Sequence, residues 1–259
     1  MQLHYKVLGS GPVLIILHGL FGMSDNFVSI ANAISATHKV YLPDLRNHGQ
    51  SPHHSDVSYK AMSNDLAAFF KEHQIDKAHL LGHSMGGKVA MQFAYDYPKK
   101  VDRLIVADMT PAARNVSHQH IEVLQAMAKI NAGDYSSRAQ VDQEVSKFVN
   151  SSKLKHLILK NLQRNPDGSF RWRINLDAIS NNLHEVFRAI DYHGWLCPNP
   201  ALFLAGEFSD YIQEPDRELI RQMFSRVAFA TVPGASHWLH ADNPKAFAEE
   251  VAKFLSMEL

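Results

Sequence analysis

The sequence predicts an α/β protein: a mostly parallel sheet with helices on both faces, interrupted once by an inserted, mainly helical segment. Three observations carry this reading. Short apolar runs alternate with helix-patterned stretches over residues 1–111 and again over 197–259, as in parallel sheets wound through crossover helices. Some runs, such as Val13-Leu14-Ile15-Ile16-Leu17, are apolar at every position, which fits a strand buried on both faces. Between residues 112 and 196 the alternation stops and helical spacing takes over.

Taken in order, Leu3, Tyr5 and Val7 alternate as a half-exposed strand, and Gly9-Ser10-Gly11-Pro12 turns it into the buried strand 13–17. His18-Gly19-Leu20-Phe21-Gly22 follows, then a helix with Phe27, Ile30, Ala31 and Ile34 on one face, for which Ser24 is the expected N-cap. Residues 39–42 form a strand that opens into the polar loop 43–52, and 61–73 a helix. A strand is expected over 75–81, a helix over 88–97 and a strand over 103–107 that ends at Asp108. In the insert, three groups share helical faces: Ile121, Leu124 and Ala128; Val141, Val145 and Phe148; and Leu154, Leu157, Ile158 and Leu162. Asp167-Gly168 is a turn, residues 170–174 alternate like a short strand, and 176–190 is helical again. Strand 201–205, helix 217–224, strand 227–232, a loop over 234–240 and helix 247–257 complete the chain. No Gly/Ser linker bounds the insert. The expected division is a core of residues 1–111 and 197–259 with a cap at 112–196 packed over it.

Composition narrows the function classes. The chain has 26 basic and 26 acidic residues, so no global field favours nucleic acid or a charged membrane. One cysteine, Cys197, excludes an internal disulfide, and no apolar run approaches a membrane span. With no signal-peptide pattern at its start, the chain reads as cytoplasmic. None of the 16 histidines falls in a metal-binding spacing, so no metal site is expected.

The chemistry concentrates at Gly82-His83-Ser84-Met85-Gly86-Gly87. A strand before and a helix after make this G-x-S-x-G a nucleophile elbow rather than a glycine-rich packing turn. The turn strains Ser84, and only glycine two residues to either side leaves room for it. A serine hydroxyl needs a base, and a histidine has its pKa near working pH. His237, in the Gly/Ala/Ser loop after the last strand, can reach Ser84. His83 is expected to point away from the elbow and His240 to pack locally. The histidine needs an acid, for which Asp108 and Asp210 are candidates. Backbone N–H groups of Met85 and Leu20, with Phe21 second, are placed to form an oxyanion hole. Phe21, Trp172, Trp195 and Trp238 are either acyl-pocket residues or core, and Trp238 and Trp172 are the two taken as substrate-binding. Seven Lys/Arg against one Asp over 147–173 read as a solvated face or as a dock for a phosphate-bearing leaving group.

His18-Gly19, the loop Asp44 to Ser51, Gly82 to Gly87, Gly206-Glu207 and Gly234 to Pro244 together resemble the α/β-hydrolase superfamily along the whole chain. Arg46-Asn47-His48-Gly49 with Ser51-Pro52, and His237-Trp238-Leu239-His240-Ala241, look more narrowly like the ybfF-type bacterial esterases. Most of the superfamily has glycine where this chain has Asn47, and only one strand precedes Val13, so the usual first edge strand is expected to be missing. The resemblance implies a serine esterase acting without a cofactor, through an acyl-enzyme, on carboxylic esters or acyl thioesters, including acyl-CoA, with short acyl chains. Hydrolysis of carbon–carbon bonds on the same residues, or ligand binding with little turnover, are the alternatives. The usual superfamily acid position, G-x-x-D after strand 201–205, holds Ser209, and Asp210 comes one residue late. Asp108, at the end of the strand beside the nucleophile strand, is therefore the expected acid. The oligomeric state is not legible.

Overall fold

In the computed structural model, which describes residues 1–258, a seven-stranded sheet runs in the order β1-β3-β2-β4-β5-β8-β9. The chain builds it as β1 (Tyr5–Leu8), β2 (Val13–Leu17), α1 (Val28–Ile34), β3 (Lys39–Pro43), α2 (Tyr59–Glu72), β4 (Ala78–His83), α3 (Met85–Asp96) and β5 (Val101–Ala107). The insert follows as α4 (His118–Lys129), α5 (Arg138–Val145), α6 (Ser152–Lys160), β6 (Leu162–Arg164), β7 (Phe170–Trp172), α7 (Leu176–Asn181) and α8 (Leu183–Phe187). The sheet resumes with β8 (Ala201–Gly206), α9 (Glu214–Met223), β9 (Val227–Val232), α10 (Leu239–Asp242) and α11 (Pro244–Ser256). Within the seven-stranded sheet all neighbouring strand pairs are parallel except β1 with β3. The single strand ahead of β2 thus forms the sheet edge.

The unbroken apolar runs are explained by burial on both sides. Leu14 and Ile16 of β2 enter a core with Phe27, Ile30, Phe247 and Val251, from α11, α1 and the residue before α1. Ile15 and Leu17 enter the opposite core with Leu66, Phe69, Val89 and Phe93 of α2 and α3, which continues into the insert through Val123, Val141, Val145 and Ile158. The insert therefore shares one hydrophobic core with the main body.

Several local expectations change. Ser24 is not an N-cap: it begins a 3-10 turn, its N–H donates to Asp44 Oδ1 at 2.6 Å, and α1 starts only after Phe27, without a side-chain cap. Leu162 leaves the α6 face to pair with Trp172 in a β6–β7 hairpin. The stretch 176–190 splits into α7 and α8 around Asn182, whose Nδ2 turns back to the Ala178 carbonyl at 2.8 Å. The loop after β9 closes into the short helix α10. Ile121 and Phe148 are exposed rather than packed.

Where the chain enters and leaves the insert, the two segments are tied together. Arg114 N donates to Phe187 O and Ile190 N to Pro111 O, both at 2.8 Å. Lys88 of α3 is fully buried and gives its Nζ to Ala112 O at 2.9 Å and to Arg188 O, one carbonyl from each segment. Tyr59 of α2 adds its hydroxyl to Val186 O. Burial, with Arg114 nearby, lowers the Lys88 ammonium from the ordinary 10.5 to about 7. Between those values the unfolded chain binds more protons at this residue than the folded one, so stability rises with pH across the window. Lys88→Met is expected to abolish this slope. From pH 7.5 to 9.5, urea melts should show the wild type gaining about 2 kcal/mol on the variant. Parallel pH dependence in the two proteins would mean that Lys88 titrates as an ordinary lysine.

Candidate active site

The elbow forms because β4 runs straight into α3 through one left-handed residue. Ser84 has φ 52° and ψ −120°, a region that costs a non-glycine residue about 1–3 kcal/mol. A Cβ on Gly82 would stand 2.1 Å from Gly86 O, and one on Gly86 would stand 2.3 Å from Leu17 O. Glycine at both positions is thus a steric requirement. Gly19 serves the same end from β2, since a Cβ there would meet Ser84 Cβ at 3.1 Å. Ser84 N–H bonds to Ala107 O at 3.0 Å, which ties the elbow to the end of β5.

From three separate loops, three side chains converge. His237 Nε2 lies 3.0 Å from Ser84 Oγ, and His237 Nδ1 lies 2.7 Å from Asp108 Oδ2. A carboxylate accepts, so Nδ1 carries the proton and Nε2 presents a lone pair to the serine hydroxyl. Such an arrangement can take the proton from Ser84 and stabilise the imidazolium that results. Asp108 is fully buried and itself left-handed, with φ 51°. Its Oδ1 accepts from Gly206 N at 3.1 Å and its Oδ2 from Ser209 Oγ. The serine at the superfamily's usual acid position therefore donates to the carboxylate on the neighbouring strand. Asp210 lines the cavity, but among the described residues its carboxylate makes no hydrogen bond to His237; its main-chain carbonyl accepts from Arg114.

The histidine is held on two further sides. Tyr211 stacks on its ring at 4.0 Å and 17°. His83 is buried beneath, with its ring 4.9 Å from that of His237, and its Nε2 donates to His237 O at 2.7 Å. Burial, with His240 and His237 beside it, holds the His83 imidazole well below the usual histidine range, so it stays a neutral donor. His240 is lowered to about 3, chiefly by burial, and stacks on Phe27 at 4.2 Å.

These groups open on a cavity of about 530 Å³. Leu20, Phe21, Ser84, His237 and Trp238 line it from the main body, and Ser117, His120, Val123, Lys153, Leu154 and Leu157 from the insert. Among the described residues the amide N–H groups of Leu20, Phe21 and Met85 have no backbone acceptor. His120, lowered to about 4 mainly by burial, brings a neutral imidazole to the insert side. Trp172 is not among the lining residues: its indole N–H points to Met127 O and Ile130 O, both at 3.1 Å. Trp195 packs edge-on against Tyr95. Of the seven basic residues over 147–173, Lys153 alone lines the cavity, and it pairs with Asp242. Among the described residues, no three His, Cys, Asp or Glu side chains are grouped to hold a metal ion, and no helix is long and apolar enough to cross a membrane.

Sequence reasoning missed three contributors: the Ser209 hydroxyl, the Tyr211 stack and the His83 donor. Asn47, the departure from the superfamily's glycine, is also accounted for. It keeps the left-handed backbone that glycine would supply (φ 68°), and its Oδ1 accepts from Asn175 Nδ2 of the insert at 3.0 Å.

The sheet order, the elbow and the insert after β5 define an α/β hydrolase, and residues 12–244 match the family described as alpha/beta hydrolase fold. The chain belongs to that family. It is 37% identical over 257 residues to "sn-1-specific diacylglycerol lipase ABHD11" of Danio rerio, covering 95% of this chain and 79% of that one. It is 30% identical over 243 residues to "Esterase YbfF" of Escherichia coli (strain K12), covering 94% and 92%. Among solved structures, "Marine microorganism esterase" superposes with a TM-score of 0.95 at 41% identity, over 98% of this chain and 99% of that one.

Proposed function

We propose that the protein is a serine esterase that hydrolyses carboxylic esters of small molecules through an acyl-enzyme on Ser84. His237 takes the Ser84 proton as the oxygen attacks the ester carbonyl, then gives it to the departing alcohol. Asp108 holds the imidazole in the required tautomer. Leu20 and Met85 N–H groups, with Phe21 second, receive the oxyanion. In the second half-reaction His237 activates a water that releases the acid. The observation that carries this reading is the 3.0 Å and 2.7 Å relay from Ser84 through His237 to Asp108, opening on the cavity. The esterase and lipase names of the relatives support the same bond type. A fluorophosphonate probe is expected to label Ser84 in the folded protein; a folded sample that hydrolyses esters yet takes no label there would refute the reading.

The insert acts as a cap that limits acyl size, and short acyl groups are the preferred substrates. Across a series of p-nitrophenyl esters, kcat/KM is expected to fall by at least about tenfold from butyrate to laurate, some 1.4 kcal/mol of transition-state binding. A flat or rising series would remove the short-chain assignment. Acyl thioesters fit the same chemistry. For coenzyme A thioesters, Lys153 at the cavity is the group that would answer to the charged leaving group, so salt should raise their KM more than that of neutral esters.

A further inference from the structure

Asn161, at the end of α6, is fully buried although it is polar and belongs to the insert. Its Nδ2 reaches into the main body and donates to Phe21 O at 2.8 Å, besides bonding Leu157 O at 3.0 Å. Its main-chain carbonyl accepts from Arg173 N at 2.8 Å, so the residue is fixed from the β7 side as well. Phe21 is left-handed, with φ 62°, an unusual state for a bulky residue that needs holding.

The next bond follows through the same peptide unit. The peptide whose carbonyl is Phe21 O carries the N–H of Gly22, and Gly22 N donates to Gly19 O at 3.0 Å. The peptide whose carbonyl is Gly19 O carries the N–H of Leu20, which has no backbone acceptor among the described residues and belongs to a residue lining the cavity beside Ser84. Gly19 O is also held at 2.8 Å by His18 Nδ1, whose other nitrogen accepts from Leu45 N. Asn161, two peptide units and the cavity are therefore joined head to tail. Each donor in such a chain polarises the next, and each bond fixes the plane of the peptide that follows.

We propose that Asn161 is a positioning residue for the oxyanion hole: through Phe21 O, Gly22 N and Gly19 O it orients and polarises the Leu20 N–H. The insert then serves the chemical step as well as covering the site. This inference rests on the esterase reading above.

The test compares Asn161→Leu and Asn161→Asp with the wild type. The leucine variant removes the donor with an apolar group of similar size. The aspartate variant keeps the shape and places a carboxylate oxygen against Phe21 O, so it serves if the leucine variant does not fold. Four quantities are read: kcat and KM for p-nitrophenyl acetate, the affinity of an alkyl trifluoromethyl ketone, and the affinity of the matching secondary alcohol. The ketone forms a tetrahedral adduct with an oxyanion, visible by fluorine NMR, and the alcohol cannot. We expect kcat and ketone affinity to fall together by about tenfold or more, with KM and alcohol affinity within threefold. A shift in KM and alcohol affinity with kcat and ketone affinity preserved would show that Asn161 only docks the insert, and so would no change at all. A wild type that forms no adduct while hydrolysing the ester would instead overturn the esterase mechanism itself, which separates the two failures.

Discussion

Ser84→Ala is expected to reduce ester hydrolysis by about 10⁶ in kcat while leaving the fold intact. Among the described residues the oxygen removed makes one side-chain hydrogen bond, to His237. Alanine meets the same left-handed backbone as serine, and the elbow geometry is set by Gly82 and Gly86 rather than by the side chain between them. The melting temperature should therefore stay within a few degrees, and the cavity should still bind a product acid. Turnover falling by less than about tenfold in the purified variant would assign the nucleophile to another group.

Asp108→Asn should be the next most damaging change, at about 10⁴ in kcat. The new amide would donate to His237 Nδ1, forcing the ring proton onto Nε2, where it faces the Ser84 oxygen instead of a lone pair. Asn at 108 tolerates the left-handed backbone as Asp does, and its amide oxygen can still accept from Gly206 N, so folding should survive. Asp210→Asn is the control. Asp210 lines the cavity, but among the described residues its carboxylate makes no hydrogen bond to His237, and activity should remain within about threefold. The opposite ranking, at matched thermal stability, would move the acid to Asp210.

The fold was legible where burial alone decides the residue type. Strand β2 occupies the residues that its apolar run marks out, β8 its run and one residue more, and the elbow follows from a glycine pair whose steric cause is local. The three side chains of the relay are nameable because Ser84 and Asp108 directly follow sheet strands and His237 lies in the short loop after the last one. What the sequence hides is contact between distant segments. Nothing near Ser209 announces that its hydroxyl turns to Asp108, and nothing near Asn161 announces Phe21. Leu162 has the spacing of its helical neighbours, yet the hairpin with Trp172 claims it. Ser24 has the composition of a cap, but the 3-10 turn it begins carries the chain on to Phe27, which stands at the N-cap of α1 instead.

Because the carboxylate that meets His237 follows β5, the turn after β8 gives the relay a hydroxyl and a stacking ring in place of a carboxylate. Phe208 in that turn is 73% exposed at the mouth of the cavity. The turn is thus released from a duty it carries in most of the superfamily, and its outer residues are open to variation. Glu207 is the exception, because its Oε2 accepts from Gly234 N at 2.7 Å in the loop that carries His237. A library of sequences at 208 and 210, with Glu207, Ser209 and Tyr211 retained, is a place where substrate range can be bred with the relay's supports in place.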